Sequence, residues 1–209
     1  MRFRPFRPAR GLPLAAALLL PALLAGCASG PTAEITRFNL GAPIPRETVV
    51  IEAAPGLDAR GLEFASIAAG VQSELAAIGF AAADSPAGAG YIAVVSLEQV
   101  VRDGPPRGPA LSIGIGGGSF GRGGGVGGGI AVPVGAPRTS ELRQTRLSIR
   151  LRRRSDASVV WEGRAVEDLP ADAAASSIAS AVPRLARALL ADFPGRNGET
   201  IRVKTGGPR

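Results

Sequence analysis

The apolar positions of this chain keep three rhythms, and each predicts a different element. The first is alternation. Leu147, Ile149 and Leu151 alternate with Arg146, Ser148, Arg150 and Arg152, which predicts a long strand over 142–154 with one apolar and one charged face. Ser155-Asp156-Ala157-Ser158 follows as a hairpin turn. On the returning strand Val159, Trp161, Gly163 and Ala165 share one face, and Val160, Glu162, Arg164 and Val166 the other. Cross-strand Arg–Glu pairs on the wet side then help to set register. A weaker alternation over 34–40, carrying Ile35 and Phe38, predicts a first strand. The second rhythm is the short β-branched run. Thr48-Val49-Val50-Ile51, bounded by Pro55-Gly56, reads as a buried strand, and 91–101, rich in Val and Ile, as the next strand, ending at Asp103-Gly104-Pro105-Pro106. The third rhythm is helical. Phe64, Ile67, Ala68, Val71, Leu75 and Ile78 recur at steps of three and four, with Glu63, Ser66, Gln72, Ser73 and Glu74 elsewhere on the wheel. Asp58 is placed to cap this helix and Gly79 to stop it. Ile178, Val182, Leu185 and Leu189 set out a second helix within 171–193, which Pro183 is expected to kink or split. Thr200-Ile201-Arg202-Val203 predicts a final edge strand, and 205–209 a free tail.

Between the third strand and the long strand lies a different pattern. Ten of the fourteen residues from 116 to 129 are glycine. On one side Leu111, Ile113 and Ile115 alternate with Ser112 and Gly114. On the other Ile130, Val132 and Val134 alternate with Ala131 and Pro133. Two short alternating runs around a glycine tip predict a β-arm inserted over 104–137, and bare glycine specifies register weakly. Its uses would be strand addition to a partner's sheet edge, with Ser119 and Ile130 as contact positions, or contact with a membrane, or none, as a tolerated surface insertion.

The predicted order is strand, strand, helix, strand, arm, strand, strand, helix, strand. Two helices with one apolar stripe each cover one face of a sheet. The fold class is therefore α+β: a two-layer sandwich with a mainly antiparallel or mixed sheet, built as a single domain over 34–204. The uncovered face is expected to be polar.

The first 33 residues follow another plan. Arg2, Arg4, Arg7 and Arg10 precede an apolar stretch from Leu12 to Leu24, which is broken by Pro13 and Pro21 and closes in Leu24-Ala25-Gly26-Cys27. A membrane-spanning helix needs about 20 apolar residues, and this stretch is shorter. The layout is that of a secretory signal over 1–26. Without an arginine pair before the apolar stretch, it fits a Sec route. Leu24, Ala25, Gly26 and Cys27 resemble the lipobox of bacterial lipoproteins. That resemblance implies a diacylglycerol thioether on Cys27, cleavage before it, fatty acylation of the new amine, and a short tether over 27–33. Ala28 and Ser29 after the cysteine, with no Asp, look like the outer-membrane sorting pattern, with the domain facing the periplasm.

The net charge of +7 falls by more than half once the expected signal is set aside. The chain holds 24 basic and 17 acidic residues; four of the basic ones lie in 1–26, which leaves 20 against 17, or +3. Nearly all the cations are Arg, alongside abundant Ala, Gly and Pro, which looks like compositional bias rather than phosphate recognition. Few aromatics are present to stack on bases, so nucleic acid is not an expected partner. Arg150, Arg152, Arg153 and Arg154 form the densest charge run. It reads either as a patch for anionic headgroups or an acidic protein, or as the solvated face of a hairpin.

Catalytic constellations lack parts. The chain has no His and one Cys, so neither a Ser-His-Asp triad nor a Cys-His pair exists, no intrachain disulfide forms, and soft metal sites have no ligands. Gly116-Gly117-Gly118-Ser119-Phe120-Gly121 matches a dinucleotide fingerprint in letters, but more glycine follows where a helix is required. Glu167 and Asp168 read as solvated acids at a strand end, and Trp161 as core. No enzyme, cofactor or metal is expected.

The lipobox, the strand Tyr91-Ile92-Ala93-Val94 after a helix ending in Gly79-Phe80, the glycine arm, Val160-Trp161-Glu162-Gly163-Arg164-Ala165, and Phe193-Pro194-Gly195 closing the last helix together resemble the DUF4136 family of bacterial envelope lipoproteins. The resemblance covers most of the chain after the signal. It implies a small periplasm-facing α/β domain with no active site to carry over. A second resemblance, to auxiliary lipoproteins of ABC-type lipid transporters, rests on the lipobox and the order of strand, Val-rich strand and helix. The glycine arm fits it less well.

Overall fold

The computed structural model describes residues 30–107, 111–115, 130–134 and 138–206. In chain order its elements are β1 (Thr32–Asn39), β2 (Thr48–Ala53), α1 (Leu62–Ala77), β3 (Ala81–Ala82), β4 (Tyr91–Arg107), β5 (Leu111–Ile115), β6 (Ile130–Val134), β7 (Arg138–Arg153), β8 (Val159–Pro170), α2 (Ile178–Leu190) and β9 (Thr200–Lys204). Seven strands form one sheet in the order β3-β2-β4-β7-β8-β1-β9. β2 runs parallel to β3 and β4, because α1 carries the chain back over the sheet between them; every other pairing is antiparallel. The architecture is an open mixed α+β sandwich, with β9 at one edge as predicted.

One core lies between the sheet and the two helices. Leu147, Ile149 and Leu151 of β7 are fully buried, together with Ala93 and Val95 of β4 and Ile35 of β1. From the helices come Ile67, Val71, Leu75, Val182, Leu185 and Leu189, the positions that the helical rhythm picks out. Across this core runs a chain of aromatic rings. Tyr91 meets Phe80 edge-on with centroids 5.9 Å apart, Phe80 meets Phe193 at 5.7 Å, and Phe193 meets Trp161 at 5.1 Å. The Arg46 guanidinium covers Phe193, 4.3 Å from its centroid, in a cation–π contact. The Trp161 indole donates to the Pro194 carbonyl at 2.9 Å. Gly163 is a packing requirement: a Cβ there would stand 2.3 Å from the Trp161 ring and 2.8 Å from Leu189. The scattered motifs 79–80, 91, 161–163 and 193–195 thus meet in one place.

Several local expectations are corrected. β1 begins at Thr32, inside the expected tether, and it turns Phe38 outward to 52% exposure while Arg37 is buried. β4 continues through Asp103-Gly104-Pro105-Pro106 because β7 pairs with it there. The register slips between Asp103 and Pro106, a bulge that tolerates proline in a ladder. A second bulge, between Leu151 and Arg152, leaves Val160 without a partner in β7. It moves Val160 to the core side with Trp161 and leaves Val159 exposed. Asp58 does not cap α1: Gly61 takes that position, and Asp58 accepts the Arg60 amide in the turn before the helix. α2 starts only at Ile178 and runs through Pro183 as one helix. Thr205 is not free, since its amide donates to the Pro31 carbonyl at 2.7 Å.

β5 and β6 form a separate antiparallel pair, with Leu111, Ile113 and Ile115 opposite Val134, Val132 and Ile130. That is the arm the alternation predicts.

Candidate functional site

The sheet face away from the helices carries charge in register. Arg146 stands opposite Glu98 on β4, with Nη1 3.0 Å from the carboxylate. Arg150 stands opposite Glu162 on β8 at 3.4 Å. Arg152 reaches past Ile92 to Glu52 on β2, also at 3.4 Å. Arg102 pairs with Asp168 at 2.6 Å, and Arg202 with Glu34. Arg150 and Arg152 of the arginine run thus belong to an alternating lattice of ion pairs, while Arg153 turns to Asp156 and Arg154 forms no ion pair among the described residues. Each such exposed pair contributes about 0–1 kcal/mol, so the lattice shapes a surface more than it holds the fold. Arg164 has no ion-pair partner among the described residues.

The turn between β7 and β8 closes on Asp156. Its carboxylate accepts the Ser158 hydroxyl at 2.7 Å, the Ser158 amide at 3.0 Å and Arg153 Nη1 at 3.0 Å. These bonds, the Ser158 hydroxyl first, hold its carboxyl at about 2. An unfolded Asp titrates near 3.9. The turn's contribution to stability is thus complete above that pH and is lost as pH falls through about 2. A side-chain carboxyl titration followed by NMR is expected to give a midpoint near 2 for Asp156, rising in Ser158→Ala. An ordinary midpoint in the unsubstituted chain would contradict the turn geometry.

On the helical side three charged residues, Arg37, Glu74 and Glu167, are buried. Glu167, on the core face of β8, is 2% exposed and is clasped by Arg184 of α2, which bonds both its carboxylate oxygens and also donates to the Ala175 and Ser180 carbonyls. Burial pushes the Glu167 carboxyl up, and Arg184 opposes the shift. Glu74 of α1 is 5% exposed and accepts from Arg187 of α2 at 2.9 Å. That bond holds the Arg187 guanidinium above its ordinary range. Arg37 of β1 donates from Nε to Leu189 O at 2.8 Å and from Nη2 to Ala188 O at 3.0 Å, which satisfies carbonyls left open at the end of α2. Burial lowers its pKa, against the nearby carboxylates of Asp192 and Glu199. A half-open cavity of about 460 Å³ opens beside these groups, lined by Arg37, Glu74, Arg184, Arg187, Asp192 and Lys204 among others.

Glu167 is thus not the solvated acid its place near a strand end suggests, whereas Asp168 is exposed and paired with Arg102. The signal for Glu167 was available: it keeps the two-residue phase of Trp161, Gly163 and Ala165. Glu74 lies three residues after Val71, and Arg37 is in phase with Ala33 and Ile35. Of the residues singled out from the sequence, Arg150 and Arg152 sit together in the open-face lattice. Ile130 pairs with Ile115 in the arm. Leu24, Ala25, Gly26, Cys27 and Ser119 lie outside the described residues. Among the described residues no three of His, Cys, Asp and Glu gather as metal ligands, and no helix is long and apolar enough to cross a membrane.

The sequence model described as "Domain of unknown function (DUF4136)" matches residues 48–195. The chain belongs to the DUF4136 family. The match takes in the aromatic chain, both helices, the arm and all of the sheet but β1 and β9, so the DUF4136 unit here includes nearly every element that builds the core. A stretch of 77 residues is 44% identical to the uncharacterized protein ZMO1243 of Zymomonas mobilis, covering 36% of this chain and 29% of that protein. The likeness to that relative therefore spans under a third of its length. Among solved structures, a PDZ domain protein from Parabacteroides distasonis superposes with a TM-score of 0.47 at 13% identity, over 83% of this chain and 39% of that one. The PelC dodecamer from Paraburkholderia phytofirmans gives 0.42 at 15% identity, over 79% of this chain and 99% of that one. Neither likeness, at scores below 0.5, bears on what this DUF4136 chain does.

Proposed function

We propose that this DUF4136 chain is a non-enzymatic envelope lipoprotein, exported by Sec and held by lipids on Cys27 in the periplasmic leaflet of the outer membrane, where its domain serves as an interaction or assembly module. The observation that carries the reading is Leu24-Ala25-Gly26-Cys27 at the end of a short apolar stretch behind four arginines. A thiol is what forms the thioether to diacylglycerol. Each buried lipid CH₂ contributes about 0.8 kcal/mol, so several acyl chains together give a stable anchor. The lack of His in the chain and the guanidinium partners of Glu74 and Glu167 support a role without acid–base chemistry. The open-face lattice, including Arg150 and Arg152, is the surface offered to an envelope protein.

A second reading is an accessory subunit of an ABC-type lipid transport complex. The half-open cavity beside α2 favours it, and co-purification with an inner-membrane permease would distinguish it from the first.

One experiment in cells tests the proposal in two parts. Cys27→Ser is expected to accumulate as uncleaved precursor; normal cleavage and membrane retention of that variant would end the lipoprotein reading. In the unsubstituted background, a photo-crosslinking residue at Arg150 is expected to capture one envelope protein. Adducts to lipid alone would end the module reading.

A further inference from the structure

We propose that the cavity between α1, α2, β1 and β9 is a binding site for the phosphate of an anionic phospholipid headgroup, set at the end of the domain where the lipid tether joins it. The idea that this phosphate comes from the home membrane rests on the anchored reading above; the chemistry of the cavity does not.

Three cations from three elements line the cavity with donors to spare. Lys204 of β9 is exposed and forms no ion pair among the described residues. Arg187 of α2 uses Nε and Nη2 on Glu74, and its Nη1, on a side chain 47% exposed, has no hydrogen bond among the described residues. Arg37 of β1 uses Nε and Nη2 on the carbonyls of α2, and its Nη1 likewise has none among the described residues. Arg184 is different, because Glu167, Ala175 and Ser180 take its donors. Glu74, Glu167 and Asp192 offset three of the four positive charges; Glu199, also near Arg37, is matched by Arg196, and Lys204 is the surplus. An anion is therefore attracted, and guanidinium and ammonium donors suit phosphate oxygens. Ile78 and Val203 also line the space, so an ester carrying a glycerol and the start of an acyl chain has apolar surface to lie on. A bare phosphate would leave that surface wet.

The position supplies the source. Thr205 lines the cavity, and its amide and hydroxyl both donate to the Pro31 carbonyl. Cys27 lies four residues before Pro31, which an extended chain spans in at most about 14 Å. A chain anchored through Cys27 holds Pro31 within that reach of the headgroups, with Thr205 and Lys204, at the near end of the cavity, beside it. The tether delivers the domain to the surface, and the cavity fixes which end faces it.

The test uses the full chain purified from cells in a non-ionic detergent, titrated with dihexanoyl phosphatidylglycerol, dihexanoyl phosphatidylcholine or inorganic phosphate, with binding read by NMR shifts of cavity amides. Phosphatidylglycerol is expected to bind at least about tenfold tighter than phosphatidylcholine. Lys204→Glu is expected to weaken it by about tenfold, as the loss of one charge-assisted contact implies, with an unchanged unfolding midpoint. Arg187→Gln should weaken it similarly; if that variant is less stable because Glu74 loses its partner, Lys204→Glu alone decides. Equal binding of inorganic phosphate would overturn the headgroup assignment. Equal binding of the two lipids, or no effect of Lys204→Glu, would overturn the site. None of these readings depends on lipidation of Cys27, so failure of the anchor would show in the Cys27→Ser experiment and failure of the cavity only here.

Discussion

Replacing Trp161 by alanine is expected to remove about 3–5 kcal/mol of folding stability, a large share of the roughly 5–15 kcal/mol available to a domain. Three losses coincide at this residue. The indole is 1% exposed, so its area returns to a cavity in the core. Its contact with Phe193 disappears, and with it the last link of a ring chain that reaches Tyr91. The Pro194 carbonyl loses the indole N–H as its donor. Trp161→Phe keeps most of the apolar volume and loses the hydrogen bond, so it should cost less than half as much. Urea unfolding followed by circular dichroism measures both. Trp161 is the only tryptophan, so the unsubstituted chain also reports directly, through a blue-shifted emission that moves red as the core opens. An alanine variant that unfolds at the same urea concentration would mean that the aromatic chain does not hold the helices to the sheet.

Arg184→Met is expected to cost about 3–5 kcal/mol at neutral pH, because it leaves the Glu167 carboxylate buried without its counter-charge. The sign with pH follows from Glu167. Burial raises its folded-state pKa above the unfolded value of about 4.3. Its protonated form is thus favoured in the fold, and its contribution is complete below the unfolded pKa and declines as pH rises through the folded one. Removing Arg184 raises that folded value further. The destabilisation should therefore shrink as pH drops from 7 toward 4.5, where the orphaned carboxyl takes up a proton. Denaturant midpoints at the two pH values measure this, and a loss that does not change with pH would refute the account. Glu167→Leu with Arg184→Met should recover most of the stability, since an apolar pair of similar volume avoids the desolvation of both charges. Alone, Arg184→Met also frees the Ala175 and Ser180 carbonyls, so recovery is not expected to be complete.

The two variants probe different layers of one interface. Trp161 lies under α2 from the sheet side, and Arg184 ties α2 to the same strand, β8. Between them α2 is fixed in place, and its end, capped by Arg37, forms a wall of the cavity. A helix loosened by either substitution would alter the cavity as well as the core.

Local periodicity was sufficient for much of this chain. The alternation of β7, the three-and-four spacing of both helices, the glycine stop at Gly79 with φ of 99°, and the apolar pairs of the arm are all properties of near neighbours. Such patterns can be read because a strand turns its side chains every two residues and a helix every 3.6. The string Leu24-Ala25-Gly26-Cys27, on which the lipoprotein proposal rests, is likewise a matter of near neighbours. What periodicity leaves open is partnership. That β4 continues through two prolines depends on a bulge against β7. That Val160 and not Val159 enters the core depends on another bulge against the same strand. The burial of Glu74 is decided by Arg187, 113 residues away, and that of Arg37 by carbonyls about 150 residues away. A charge is tolerated inside only where a distant group completes it. The main elements and most of their apolar faces were therefore written in the sequence, while the bulge-shifted faces, the buried ion pairs, the lattice of the open face and the cavity at the end of α2 came only with the tertiary arrangement.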